Sequence, residues 1–424
     1  MKVKEILEEK LVERSYYLEE VKKWIGAPLI KVIVGARRVW KSVLLQQTIQ
    51  YLVSEKKLNE DDVFYLNMED PRNASIKTYE DLVSLLLDFM EKHWKHCFIG
   101  IDEIQWIQGW EKAINGILAM NDKAEIFITG SNSNLLSWEL ATYLSWRYIE
   151  IPVYPLSFSE YLQFSRKEKS MNSFFEFLTY WGLPWIFKLV DFTDDSIFSY
   201  LRSVYNTIIL KDIVNRFWVR NIDFFDSLYT YILANVGNII SAKKISDYLK
   251  SQKVSMGVET ILNYLKYWEF AYIFWKLRSE DIKTKKIFDI YNKYYVGDLW
   301  IRNSVIGVNL ERDVWNLLEN YIYILLKKYW YEIAIWRVSW NKEIDFIGTR
   351  FWRKVYVQVA TSILGQETSR REFSALEQVD DNREKYVVTM DSFNTWFSWG
   401  IQHVNAMDFE DILISLKEKY LKKS

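Results

Sequence analysis

The chain has 424 residues, 50% of them apolar and 26% charged, with a formal net charge of −1. That balance is ordinary for a globular protein with room for two to four domains, and it gives no overall basic field for nucleic acid. A single cysteine, Cys97, excludes a disulfide framework. No apolar run approaches the roughly 18 residues of a membrane span, and the charged start MKVKEILEEK is unlike a signal peptide, so a cytoplasmic protein is expected.

Taken in order, residues 1–25 set Ile6, Leu7, Leu11, Val12, Leu18 and Val21 at a helical period among charges, which predicts a helix packed on a core. Val32, Ile33 and Val34 read as a strand, and Val43, Leu44 and Leu45 open a helix that runs to about Val53. The loop between them is G-A-R-R-V-W-K-S. It matches the phosphate-binding pattern G-x-x-x-x-G-K-[ST] at every fixed position but one. In such a loop the backbone N–H groups of Gly35, Ala36, Arg37, Arg38, Val39 and residue 40 wrap the phosphates of ATP, helped by the positive end of the helix. Lys41 reaches the terminal phosphates and Ser42 ligates Mg²⁺. Arg37 and Arg38 either lean over phosphates or make salt bridges behind the loop.

Trp40 is the departure. The chain must open there and approach the phosphate without a Cβ, so an indole blocks the cradle. Two readings compete: a dead nucleotide site, or a codon at which the cell does not insert tryptophan. Glycine is 14 of 424 residues, against an ordinary usage of about 7%. Tryptophan, normally among the rarest residues, is 20 of 424. Placement agrees with composition. Trp340 (V-S-W-N-K-E-I) and Trp352 (R-F-W-R-K-V-Y-V) fall at turns between β-like runs, Trp181 and Trp185 flank G-L-P, and Trp138 and Trp146 punctuate a polar loop. Many of these codons are therefore expected to be UGA read as glycine. Trp110, which follows Gly109, is expected to be a genuine tryptophan.

Beyond the loop, Val63 to Met68 reads as a strand and Asp81 to Glu91 as a helix. Cys97 to Glu103 is an apolar run ending in two carboxylates, Trp110 to Met120 is helical, and Glu125 to Ser131 is another strand. Strands alternating with helices predict a parallel sheet covered on both faces. Asp102 and Glu103, about 60 residues after a phosphate loop, suit an acidic strand end: Asp102 for the Mg²⁺ shell, Glu103 for the attacking water. A solvated turn is the competing reading. The polar side chains of Thr129-Gly130-Ser131-Asn132, at the end of the next strand, reach the γ-phosphate or the water, or simply cap the strand. Arg147, just before a further strand, serves as a charge-neutralising finger, in cis or across a subunit boundary, or is an unrelated surface arginine.

The stretches G-A-R-R-V-W-K-S-V-L-L, I-D-E-I-Q-W-I-Q-G-W-E-K, I-T-G-S-N-S-N-L-L-S-W-E-L and P-V-Y-P-L-S-F-S-E-Y resemble a family of prokaryotic AAA-superfamily ATPases with a restriction-endonuclease-like C-terminal domain. The resemblance covers about residues 15–165 and is looser to the end. Trp40, Trp138 and Trp146 fall where members show glycine. It implies ATP binding with hydrolysis, and an α/β P-loop NTPase fold over residues 1–165.

From about Ser165 the pattern turns helical and aromatic, giving a lid or linker over 166–224. In 225–305, I-S-A-K-K-I-S-D-Y-L-K and V-S-M-G-V-E-T-I-L-N-Y-L-K-Y read as two short helices, followed by β-like Ala271 to Arg278 and Lys285 to Tyr291. That layout resembles a winged helix, through which a protein partner or DNA is expected to bind. The second helix offers only Lys266 as a cation, which disfavours duplex reading. In 306–424, Glu319, Asp345 and Gln358-Val359-Ala360 line up with the E…D…E-x-K layout of PD-(D/E)XK nucleases. Gln358 replaces a carboxylate and Ala360 the lysine, so this domain is expected to keep the fold without the chemistry. The leading expectation is an Mg-ATP-driven switch, with an oligomer allowed. A nucleotide-independent scaffold or DNA-binding module is the alternative.

Overall fold

The computed structural model describes residues 3–421 except 56, 95, 132–143, 145–146, 181, 190–192, 255, 281–291, 340–341, 393–394 and 397–399. The chain forms two compact units, 1–154 with 270–272, and 155–269 with 273–424. The first is an α/β unit around a five-stranded sheet: β1 (Ile30–Val34), β2 (Val63–Asn67), β3 (Phe98–Asp102), β4 (Glu125–Gly130) and β5 (Tyr148–Pro152). The order is β2-β3-β4-β1-β5, and every pairing is parallel. β1 and β3 are buried along their whole length, as central strands covered on both faces must be. Lys31 in β1 is tolerated because its ammonium lies 2.8 Å from Glu125 of β4.

The helix expected over 1–25 divides into α1 (Val3–Glu8) and α2 (Ser15–Lys22). The carbonyls between and at the end of these helices find side-chain donors on the next helix, α3 (Lys41–Ser54). Gln47 donates to Val12 O, and Gln50 to Ile6 O and Glu9 O, at 2.7–2.8 Å. Carbonyls freed at a break in a helix need such partners. Thr78 and Asp81 form a reciprocal capping box for α4 (Tyr79–Lys92), and Gly109, with φ 72°, supplies the turn before α5 (Trp110–Met120).

In the second unit a nine-stranded sheet runs β13-β14-β12-β11-β10-β9-β7-β8-β6. The short β6 (Ile239–Ile240), β7 (Phe274–Glu280) and β8 (Asn292–Val296) pair antiparallel as β7-β8-β6, with helices Ala242–Ser251 and Val258–Phe270 preceding β7. β7 also pairs parallel with β9 (Glu332–Ser339) at Ser279 and Glu280, so the three strands continue into the C-terminal sheet. There β10 (Lys342–Arg350) and β11 (Arg353–Val359) form a hairpin. β12 (Glu384–Thr389) and β14 (Ile401–Asn405) extend it in parallel, with β13 (Thr395–Trp396) at the edge. The expected strand Lys285 to Tyr291 lies outside the described residues, as do Trp138, Trp146, Trp181 and Trp340.

Tryptophans fall into two groups. Trp110, Trp268 and Trp300 fill the cores of their units. Trp40, Trp218 and Trp330 instead adopt positive φ (70°, 53° and 67°), three of the nine left-handed non-glycine residues among those described. At the end of helix Leu310–Lys328, Tyr331 N–H donates to Leu326 O and Trp330 N–H to Lys327 O, each at 3.0 Å. After Phe217, Val219 N–H likewise returns to Val214 O, with Trp218 84% exposed. Both tryptophans thus hold the left-handed place of a Schellman-type ending, where glycine avoids the Cβ clash. Arg166, Lys253 and Tyr272 are left-handed as well, so the position tolerates a side chain at a cost in strain. At the β10–β11 turn the left-handed residue is Phe351, one place before the expected Trp352.

Candidate functional site

The phosphate loop leaves the C-terminal end of β1. Gly35, at φ 147°, packs so closely on the neighbouring chain that a Cβ would stand 2.2 Å from Val153 O. Arg38 and Trp40 are both left-handed, and Trp40 (φ 70°, ψ 37°) is the residue immediately before α3. Lys41 is buried, and its ammonium donates to Ala36 O at 2.8 Å inside its own loop, 3.9 Å from Glu103 Oε1. Burial lowers its pKa, opposed by Glu103 and then Asp102. Arg37 reaches Glu69 at 3.3 Å on the surface side. Arg38 is exposed. Val39 is fully buried, and its carbonyl accepts from the buried Arg14 at 2.9 Å, a clamp on the loop from the segment before α2.

The acidic strand end converges on this loop. Ser42 Oγ donates to Asp102 Oδ1 at 2.9 Å, and Thr129 Oγ1 donates to the same oxygen. Thr129 Oγ1 also accepts the Glu103 N–H at 2.9 Å, so one buried hydroxyl fixes both carboxylate-bearing residues. Burial pushes Asp102 up to about 6. Glu103 is itself left-handed (φ 56°, ψ 48°), and its Oε2 accepts from Ser131 Oγ at 2.8 Å and from Gln105 Nε2. Gly35, Lys41, Ser42, Asp102, Glu103 and Ser131 are therefore gathered at one end of the sheet. Asn132 lies outside the described residues. The solvated-turn reading of Asp102-Glu103 does not hold, since both residues are buried.

Arg147 is elsewhere. Its side chain is exposed, and its carbonyl accepts from Ile30 N–H at 2.9 Å beside the first residue of β1. The loop departs after Val34, four residues further along, roughly 13 Å at about 3.3 Å per strand residue. Its backbone thus stands at the opposite end of the sheet, a position that does not serve its own loop. Conversely, Arg14 and Gln105 join the site without having been selected from the sequence, whereas Thr129 comes from the T-G-S-N strand end singled out above. The Gln105 signal was its place two residues after the carboxylate pair; Arg14 has no local signal, because its partners lie 25 and 140 residues away.

The second unit holds another polar cluster. Glu319, on helix Leu310–Lys328, accepts from Tyr295 Oη at 2.7 Å, and Lys293 Nζ lies 3.6 Å from Glu319 and 2.8 Å from Glu343. A cavity of about 340 Å³ is lined in part by Lys293, Glu343, Asp345, Gln358 and Glu372. Gln358 is engaged on both sides of its amide. Its Nε2 donates to Glu372 at 2.8 Å, and its Oε1 accepts from Asp345 N–H at 3.3 Å. Burial, then the neighbouring Glu319, drives Asp345 well above the usual carboxylate range. Among the described residues no three His, Cys, Asp or Glu side chains are grouped to hold a metal ion. No helix among them is long and apolar enough to cross a membrane.

Residues 27–162 match the family model described as an AAA domain. An uncharacterized protein of Haemophilus influenzae is 32% identical over 403 residues, which cover 94% of this chain and 98% of that one. An uncharacterized protein of Methanocaldococcus jannaschii is 32% identical over 370 residues, 82% of this chain and 78% of that one. Among solved structures, a Walker-type ATPase of Pyrococcus abyssi is 15% identical, with coverage of 71% and 99% of the two chains and a TM-score of 0.47. The chain belongs to the family of these full-length relatives and carries an AAA domain near its start.

Proposed function

We propose that the protein is a Mg²⁺-dependent ATPase of the cytoplasm that acts as a nucleotide switch, and that residue 40 of the native chain is glycine. The observation carrying this reading is the 2.9 Å contact between Ser42 Oγ and Asp102 Oδ1, with Lys41 beside Glu103. Two hard oxygen donors meet where a magnesium ion bound to a nucleotide is held. The bound ion would neutralise phosphate charge there. Lys41 would leave Ala36 O for the β- and γ-phosphates, and Glu103 would orient the water. The left-handed backbone at residue 40 supports glycine, since only glycine takes it without strain while exposing its N–H to a phosphate.

The test is phosphate release from ATP by the full-length Trp40→Gly chain, with and without Lys41→Ala. Loss of activity on adding Lys41→Ala is expected, and equal rates in the two would remove the assignment. A thermal shift with Mg-ATP separates it from the nucleotide-independent scaffold, which predicts none. The gene bears on residue 40 directly: UGA at that codon is expected, and UGG would count against glycine.

For the second unit, the reading is a winged helix that contacts protein, joined to a nuclease-like fold without cleavage chemistry. Val258 and Leu262 expose an apolar face on the second helix, with Lys266 as its outward cation. Gln358 clips β11 to helix Gln366–Glu377 rather than standing free as a ligand, and Lys293 already neutralises Glu319 and Glu343.

A further inference from the structure

We propose that Gln105 is a positioning residue for the hydrolytic step, holding Glu103 in a single orientation and offering the attacking water its second acceptor. The inference rests on the ATPase reading above and adds a residue to it. The 3₁₀ turn Ile104–Trp106 follows directly from the left-handed Glu103, and it folds the Gln105 side chain back over the glutamate. Gln105 Nε2 donates to Glu103 Oε2 and lies 3.3 Å from Ser131 Oγ, which itself donates to Oε2 at 2.8 Å. One glutamate oxygen is thereby taken by two donors. The other, Oε1, is the oxygen that faces Lys41, at 3.9 Å.

This division of labour suits a hydrolytic base. A carboxylate free to rotate presents either oxygen to the reaction; one anchored through Oε2 presents Oε1 alone, on the side where the terminal phosphate meets Lys41. Gln105 Oε1 is buried and has no hydrogen-bond partner among the described residues. A buried acceptor without a donor is costly, and such atoms are usually satisfied by a water or a ligand. A nucleophilic water has two O–H bonds to place while its lone pair points at phosphorus. Glu103 Oε1 and Gln105 Oε1 are the two acceptors for them. As the water oxygen bonds the γ-phosphorus, the bond to the bridging oxygen of ADP breaks and the released proton passes to Glu103. Positioning the water is where a chain of this kind gains rate, since phosphoryl transfer leaves the protein little covalent work.

The experiment uses the full-length chain with glycine at position 40 and its Gln105→Met, Ser131→Ala and Lys41→Ala derivatives. Each is measured for kcat and KM with Mg-ATP, for affinity toward a non-hydrolysable ATP analogue, and for thermal unfolding. Methionine keeps the length of the side chain and removes both hydrogen-bonding groups. Expected for Gln105→Met are a kcat at least tenfold lower, analogue affinity within about twofold of the parent, and an unchanged unfolding midpoint. Ser131→Ala is expected to show a smaller loss in kcat, again without loss of affinity. Parent-like kcat in Gln105→Met overturns the role of Gln105 and leaves the ATPase reading standing. A loss of affinity matching the loss of kcat also overturns it, since that marks a structural part only. If the parent is no faster than Lys41→Ala, the ATPase reading falls and this role with it.

Discussion

Left-handed tryptophans are the sharpest residue-scale feature. A side chain in that conformation costs roughly 1–2 kcal/mol, and the ends of helices are where glycine removes the cost. Trp218→Gly and Trp330→Gly are each expected to stabilise the protein by about 1 kcal/mol, read as a higher urea midpoint. Trp268, fully buried among aromatic rings, is the opposite case. Trp268→Ala is expected to cost about 3–5 kcal/mol. Equal responses at the three positions would show that tryptophan is native to all of them. A peptide mass spectrum of residues 38–48 from native cells decides residue 40 by itself, with glycine the expected reading.

At the scale of elements, buried charges tie helices together. In the second unit, Lys328 Nζ lies 2.8 Å from Ser157 Oγ, 3.1 Å from Glu160 and 2.9 Å from Glu410, all buried. The P-L-S-F-S-E-Y motif, which the sequence groups with the nucleotide core, thus makes contacts with helices Leu310–Lys328 and Phe409–Leu421. Burial alone would raise Glu410, yet Lys328 holds it below the usual carboxylate value. Lys328→Ala leaves two carboxylates without their cation and is expected to destabilise by about 3–5 kcal/mol. Lys169, paired with Asp408 at the surface, is worth less than about 1 kcal/mol. Denaturant melts of Lys328→Ala and Lys169→Ala measure the contrast. Asp298 caps helix Leu299–Ile306 through Oδ1, and burial pushes it up to about 7 from 3.8. Between those values the folded protein keeps a proton that the unfolded chain has released, so stability falls as pH rises. Asp298→Asn keeps the cap without the charge. Its unfolding midpoint relative to the unsubstituted chain is expected to be higher at pH 8 than at pH 4; a constant difference would contradict the buried-acid account.

Across the whole molecule, the C-terminal sheet is expected to leave duplex and single-stranded DNA uncut in Mg²⁺ or Mn²⁺, because Gln358 and Lys293 are engaged within the fold. Metal-dependent cleavage abolished by Asp345→Ala would reverse that. The phosphate loop, the carboxylate pair and the alternation of strands with helices were legible in the sequence because each is a local pattern. A loop that grips phosphate needs its glycine and lysine within eight residues, and a buried parallel strand is mostly apolar, any charge in it needing a partner. The break between α1 and α2 was not legible, because its carbonyls are satisfied by glutamines some 35–44 residues on. Nor was the position of Arg147, fixed by strand register rather than by closeness in sequence. What the sequence settled by itself is the chemistry available at the end of β1. What only the tertiary structure decided is which distant groups meet that chemistry: Thr129 bridging Asp102 and Glu103, and Arg14 clamping Val39. Hydrogen bonds act over a few ångströms of space, whatever the separation along the chain.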